Sequence, residues 1–191
     1  MDQSEYKALR EKIRSMGSAT VQSSEFGEIP QSVKILWDLL DGATTDDERS
    51  DIYYLLLGEC SKSLNDALYL YFLRRSVDEL PDDPIIISSA AFSIAIVDPG
   101  SRNEALSLAR AAVARALVQD SFVRLTAGNQ ARIALLLDDY PSLNEALSVL
   151  VSDANKSRKE DMHYEFDFVD RIDPARCDPD LLHKYKQLAS A

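Results

Sequence analysis

One six-residue motif recurs three times in this chain, as SLNDAL from Ser63, SRNEAL from Ser101 and SLNEAL from Ser142. The copies start 38 and 41 residues apart. A period near 40 with a helix start in each unit constrains the chain to helical hairpins that stack. A single hairpin cannot bury its own apolar face, and three is about the minimum that closes a continuous core. The chemistry of the motif is local. A serine at the N-cap accepts from the amide three residues on, and Asp66, Glu104 or Glu145 stands at that third position, where an acid also favours the positive end of the helix dipole. Ser63, Ser101 and Ser142 are therefore expected to cap the second helix of each hairpin, while the Asn that follows has no assigned structural role.

The breakers Cys-Ser-Lys, Asp-Pro-Gly and Asp-Tyr-Pro precede the three copies. They set the expected pairs at 46–60 with 63–77, 84–97 with 101–118, and 121–138 with 142–155. The repeats then occupy 45–77, 84–118 and 121–155. Ahead of them, within 1–41, a charged amphipathic helix is expected over 3–16, with Tyr6, Leu9, Ile13 and Met16 on one stripe. Gly17 to Glu28 reads as a loop, and a second helix starts after Pro30 and stops at Asp41-Gly42. Residues 1–158 form the expected helical-repeat domain. The remainder, 159–191, differs: Met162, Tyr164, Phe166 and Phe168 alternate with His163, Glu165 and Asp167, the period of an extended segment anchored by its aromatics. A helical reading through Tyr164, Phe168 and Ile172 stays open there. A short helix begins at Asp178-Pro179 and carries Leu181, Leu182, Tyr185 and Leu188.

Composition agrees with an all-α chain. Only six Gly and seven Pro occur, and 46% of residues are hydrophobic, too many for a disordered chain. The formal net charge is −11, from 32 acids against 21 bases. Such a field repels nucleic acid and anionic lipid and attracts a basic protein. Cys60 and Cys177 stand far apart without ligand spacing, as expected of reduced thiols in a cytoplasmic protein. No secretion signal is evident at the N-terminus. The uncharged run from Pro84 to Val97 is too short to span a bilayer and suits a helix buried on several sides.

The hairpins resemble tetratricopeptide repeats. That family sets a small residue in the first helix twelve positions before an Ala in the second, so that the two backbones approach closely. Ser93 with Ala105 and Ala134 with Ala146 match this spacing, Phe92 and Ile133 fall on the preceding large position, and Ala109 and Ala112 match two further sites. Ser89 and Gln130 stand where the family has Trp, and the units exceed its 34 residues. The resemblance implies a TPR-like α-solenoid of about three hairpins, with extra N-terminal helices and a C-terminal extended segment plus helix. It also implies a concave, peptide-binding wall. The family's register puts Arg49, Ile52, Tyr53 and Leu56, then Ile87, Ala90, Ala91 and Ile94, then Gly128, Ala131, Arg132 and Leu135 on that wall. The lining is mostly apolar, with Arg49 and Arg132 its only bases, so a peptide carboxylate is a poor fit. Either the chain's own aromatic tail covers this groove, or a partner's apolar segment does.

No motif argues for catalysis, a metal or a cofactor. Neither His163 nor His183 has a second ligand at metal spacing, and six glycines leave little material for a phosphate cradle. The sequence thus reads as a non-enzymatic protein-interaction module, for example an immunity protein or chaperone for one basic partner. The rival is a small enzyme or ligand-binding helical protein, with a pocket between repeat and tail around Tyr53, Arg132, His163 and Glu165.

Overall fold

Helix formers dominate the chain, and nine α-helices with one β-hairpin account for the regular structure of residues 2–153 and 167–189, the part that the computed structural model describes. The chain is mostly helical, as its composition requires. It divides into two compact units, Met1–Pro81 and Asp82–Ala191, the boundary falling inside the stretch read as one repeat domain.

The first unit holds α1 (Gln3–Ser15), β1 (Thr20–Ser23), β2 (Gly27–Pro30), α2 (Gln31–Gly42), α3 (Asp46–Cys60) and α4 (Asp66–Glu79). Helix α1 starts from a capping box that the sequence spells as Asp-x-x-Glu. The Asp2 carboxylate accepts from the Glu5 amide at 2.8 Å, and Glu5 accepts from the Asp2 amide at 3.1 Å. The expected loop over Gly17–Glu28 is instead mostly an antiparallel hairpin, Thr20 pairing with Pro30 and Ser23 with Gly27. Its sequence signal is weak because only Ile29 is fully buried. Gly27 closes the three-residue loop at φ +71°, a left-handed position that suits glycine. Phe26 at the tip meets Tyr71 and Trp37, with ring centroids 5.2 and 6.1 Å apart. Helix α2 packs on α3, and α3 on α4, around Leu36, Tyr53, Leu56, Leu68 and Phe72. Burying each such side chain contributes roughly 1.5–3 kcal/mol.

The second unit holds α5 (Pro84–Val97), α6 (Arg102–Gln119), α7 (Val123–Leu136), α8 (Tyr140–Asp153) and α9 (Pro179–Ala189). Asp83 caps α5 by accepting from the amides of Ile85 and Ile86 at 2.9 and 3.0 Å, with Pro84 at the first helical position. Helix α5 packs on α6, α6 on α7, α7 on α8 and α8 on α9, while α5 also meets α7. Ala105, Ala109, Ala112, Ala134 and Ala146 are fully buried, so the helices close on methyl groups.

The motif serines are not the caps that the capping box requires. In the first copy α4 starts later, and Asn65 is the N-cap, accepting from the Leu68 amide at 3.0 Å. Ser63 donates back to the Cys60 carbonyl at 2.7 Å and so closes α3. In the second copy Ser101 precedes α6 but makes no capping bond, its hydroxyl being held by Asp98 at 2.6 Å. In the third, α8 has already begun at Tyr140, and Asp139 accepts from the Ser142 amide at 3.2 Å. A carboxylate or amide two or three residues away outcompetes the hydroxyl in each case.

Candidate functional site

The residues assigned to a concave wall lie mostly inside their units. In the first unit Ile52, Tyr53 and Leu56 are buried, and Arg49 is half-buried, bonded to Asp46 at 3.0 Å and to the Ala43 carbonyl at 3.2 Å. The Tyr53 hydroxyl donates to Glu79 at 2.9 Å. Burial and that carboxylate together push its pKa far up. Cys60, at the end of the same helix, is pushed up to about 12 by burial, which disfavours its thiolate. In the second unit Ile87, Ala90, Ala91, Ile94, Gly128 and Ala131 are buried, and Leu135 is half-buried.

Arg132 is the wall residue of the second unit with polar partners from two segments of the chain. Its guanidinium donates from Nη1 to Asn129 at 3.0 Å, and from Nε and Nη2 to one oxygen of Asp167 at 3.1 and 2.8 Å. The Asn129 amide nitrogen donates in turn to the buried Ser88 hydroxyl at 2.9 Å, tying α7 to α5. The guanidinium carbon lies 5.9 Å from the Phe92 ring centroid and 5.6 Å from that of Phe168. Phe168 is buried and stacks on Tyr185 of α9, centroids 5.7 Å apart. In this unit, then, Asp167 and Phe168 of the chain's own tail sit on Arg132. The other tail aromatics, Tyr164 and Phe166, lie outside the described residues, as do Met162, His163 and Glu165.

Three further contacts hold this tail to α8. The Tyr140 hydroxyl accepts from the Asp173 amide at 3.0 Å, Arg176 lies over the Tyr140 ring at 4.2 Å and pairs with Asp138, and Asn144 accepts from the Asp178 amide at 3.1 Å. Asn144 also meets the Cys177 sulfur at 3.1 Å. So the motif asparagine caps α4 in the first copy and receives the tail in the third. Two more ties come from Arg102 of the second copy and from Arg110 just beyond it. Arg102 donates to the carbonyls of Ala95 and Leu136 at the ends of α5 and α7, and Arg110 reaches Ser142 and Glu145 across to α8. The three asparagines stood out only through their repetition, and nothing local marks Arg102, Ser88 or Asn129.

Charge is distributed unevenly within the ion pairs. In the pairs made by seven arginines the carboxylate is the more exposed member. Arg132 is 12% exposed against 62% for Asp167, Arg115 37% against 94% for Asp82, and Arg49 31% against 79% for Asp46. Arg75, Arg110, Arg124 and Arg176 follow the same order. Both units carry excess acid, 15 acids against 9 bases up to Pro81 and 17 against 12 beyond it.

For the rival pocket, Tyr53 and Arg132 belong to different units. His183 is exposed on α9, its Nε2 3.0 Å from the Gln187 amide nitrogen. Among the described residues no group of three or more His, Cys, Asp or Glu side chains could hold a metal ion, and no helix is long and apolar enough to cross a membrane. Two surface depressions among the described residues are open, with volumes of about 490 and 710 Å³. The larger lies along α4 and the smaller along α6. No protein-family model, curated protein or solved structure matches the chain.

Proposed function

We propose that this chain is a non-enzymatic protein-interaction module of TPR-like type that captures a basic protein, in a role such as immunity protein or chaperone. The observation that carries the reading is the order of exposure within the arginine pairs. In those pairs the carboxylate is the outer partner, so it is the acid that an approaching molecule meets first, on a chain of net charge −11. An outward acidic layer on a rigid helical scaffold accelerates encounter with a basic surface and rejects acidic ones. The packing of α5 on both α6 and α7 is the neighbour pattern of stacked hairpins and supports the TPR-like reading. In this reading the tail on Arg132 closes the last hairpin's wall, and recognition uses the outer surface.

The test is capture of the partner from the chain's own cell extract, followed by association kinetics with the purified partner. The expected partner has a pI well above neutrality, and its on-rate falls at least tenfold between about 50 and 300 mM salt. An acidic partner, or an on-rate indifferent to salt, would overturn the reading.

A further inference from the structure

Helix α6 changes character halfway along its outer side. Its inner face is buried throughout, from Ala105 and Leu106 to Ala116. The outer side of the first half is polar, with Asn103, Glu104, Ser107 and Arg110 exposed, as a surface helix requires. The outer side of the second half is mixed, with apolar residues standing beside Arg115 and Gln119. Ala111 and Ala114 are followed by Leu117 at 50% exposure and Val118 at 89%. Phe122, 55% exposed, adds a further apolar side chain in the turn into α7. Its backbone is left-handed at φ +59°, two residues after Asp120 at φ +48°. A bulky apolar side chain there costs backbone strain without gaining burial, which points to a use in solvent.

We infer, resting on the reading above, that this strip of α6 and its turn is the docking face for the apolar centre of a basic protein surface. Charge complementarity decides the occupant. The open depression beside the strip is bounded by Asp82, the most exposed carboxylate of the pairs, and Asp120, also exposed, directly follows the end of α6. Arg115, the cation at this edge, already faces Asp82 at 3.6 Å. An apolar centre inside an acidic rim fits an apolar ridge flanked by lysine or arginine. A second copy would bring Asp82 and Asp120 against their own kind, on chains of charge −11.

The test uses the full chain, isotope-labelled for NMR, and a helical peptide with one leucine face flanked by lysines. A matched peptide with glutamate in place of lysine is the control. The expected result is saturable binding of the lysine peptide, with shifts concentrated between Ala111 and Phe122. Binding should weaken at least tenfold in both Val118→Ser and Phe122→Ser, and the glutamate peptide should not bind. Val118→Ser changes a side chain with almost no burial, so a folded variant is assured even if Phe122→Ser perturbs the turn. Saturable binding with shifts elsewhere would overturn this face and leave the wider reading standing. Equal response to the glutamate peptide would overturn the basic occupant. Concentration-dependent dimers that shift the same residues would put a second copy there instead. No binding of either peptide would also overturn the face, while partner capture judges the wider reading separately.

Discussion

Replacing Phe168 with Ala separates detachment of the tail from unfolding of the helices beneath it. The side chain is 1% exposed, stacks on Tyr185 and lies against the Arg132 guanidinium. Truncating a phenylalanine so placed costs about 3–5 kcal/mol where the whole cooperative unit must be disrupted. The tail offers a cheaper response. It joins α7 and α8 through Arg132, Asp138, Tyr140 and Asn144, so it can lift while α5–α8 keep their own contacts. Amide exchange in α9 should therefore accelerate on the order of a hundredfold to a few thousandfold, at about 1.4 kcal/mol per factor of ten. Protection in α5–α8 should change much less. Lifting also uncovers Leu182 and Tyr185, so binding of an apolar-surface dye should rise in the folded variant. Equal loss of protection across α5–α9 would refute this account, as would a folded variant with no gain in dye binding.

The three motif asparagines should respond differently to the same change. Asn65→Ala removes a helix cap and should cost about 1 kcal/mol in denaturant unfolding. Asn103→Ala should stay within about 0.5 kcal/mol, because that residue is exposed. Asn144→Ala should speed exchange in α9 while leaving α5–α7 protected, since its oxygen receives the Asp178 amide. The Ser142 hydroxyl and amide, donating to Asp139, hold its carboxyl below the ordinary aspartate range. A lowered folded pKa contributes stability above the unfolded value and loses it as pH falls through the folded one. The advantage of wild type over Asp139→Asn in urea midpoint should thus be present at neutral pH and vanish in acid. Cys60, buried and pushed up to about 12, should resist thiol reagents at pH 8 until the first unit opens. In Phe168→Ala, Cys177 should become reactive well before Cys60, as labelling followed by mass spectrometry would show.

Much of the helix order was legible because breakers and apolar runs act locally. The bounds of α3 and α5 coincide with the expected 46–60 and 84–97, where Thr45 and Asp83 give unambiguous starts. The hairpin at Thr20–Pro30 was not legible, since its strands are four residues long and bury only Ile29. The caps were misjudged for a related reason. A serine, an asparagine and an aspartate within three residues all can cap, and which one does depends on where the preceding helix releases the chain. Arg132 could be named from the repeat register, but its partners could not. Asn129 stands one turn before it on α7, but Asp167 and Ser88, the partner of Asn129, arrive by packing between segments 35 and 41 residues apart.

Those outcomes narrow what the repeated hexamer means. Its second position is a left-handed leucine 95% exposed in the first copy, an arginine bonding two helix ends in the second, and a fully buried leucine in the third. The alanine is exposed at 67 and buried at 105 and 146, so close methyl packing holds only in the second unit. Only the final leucine, at 68, 106 and 147, is buried in all three. The hexamer therefore repeats a helix start and one core contact, which any hairpin of this length needs, and leaves the other positions free to join different neighbours. A common register with divergent joints puts any selective surface on residues outside the repeat. The second half of α6 is such a place: its outer residues lie beyond SRNEAL, and packing of the helix does not require them to be apolar.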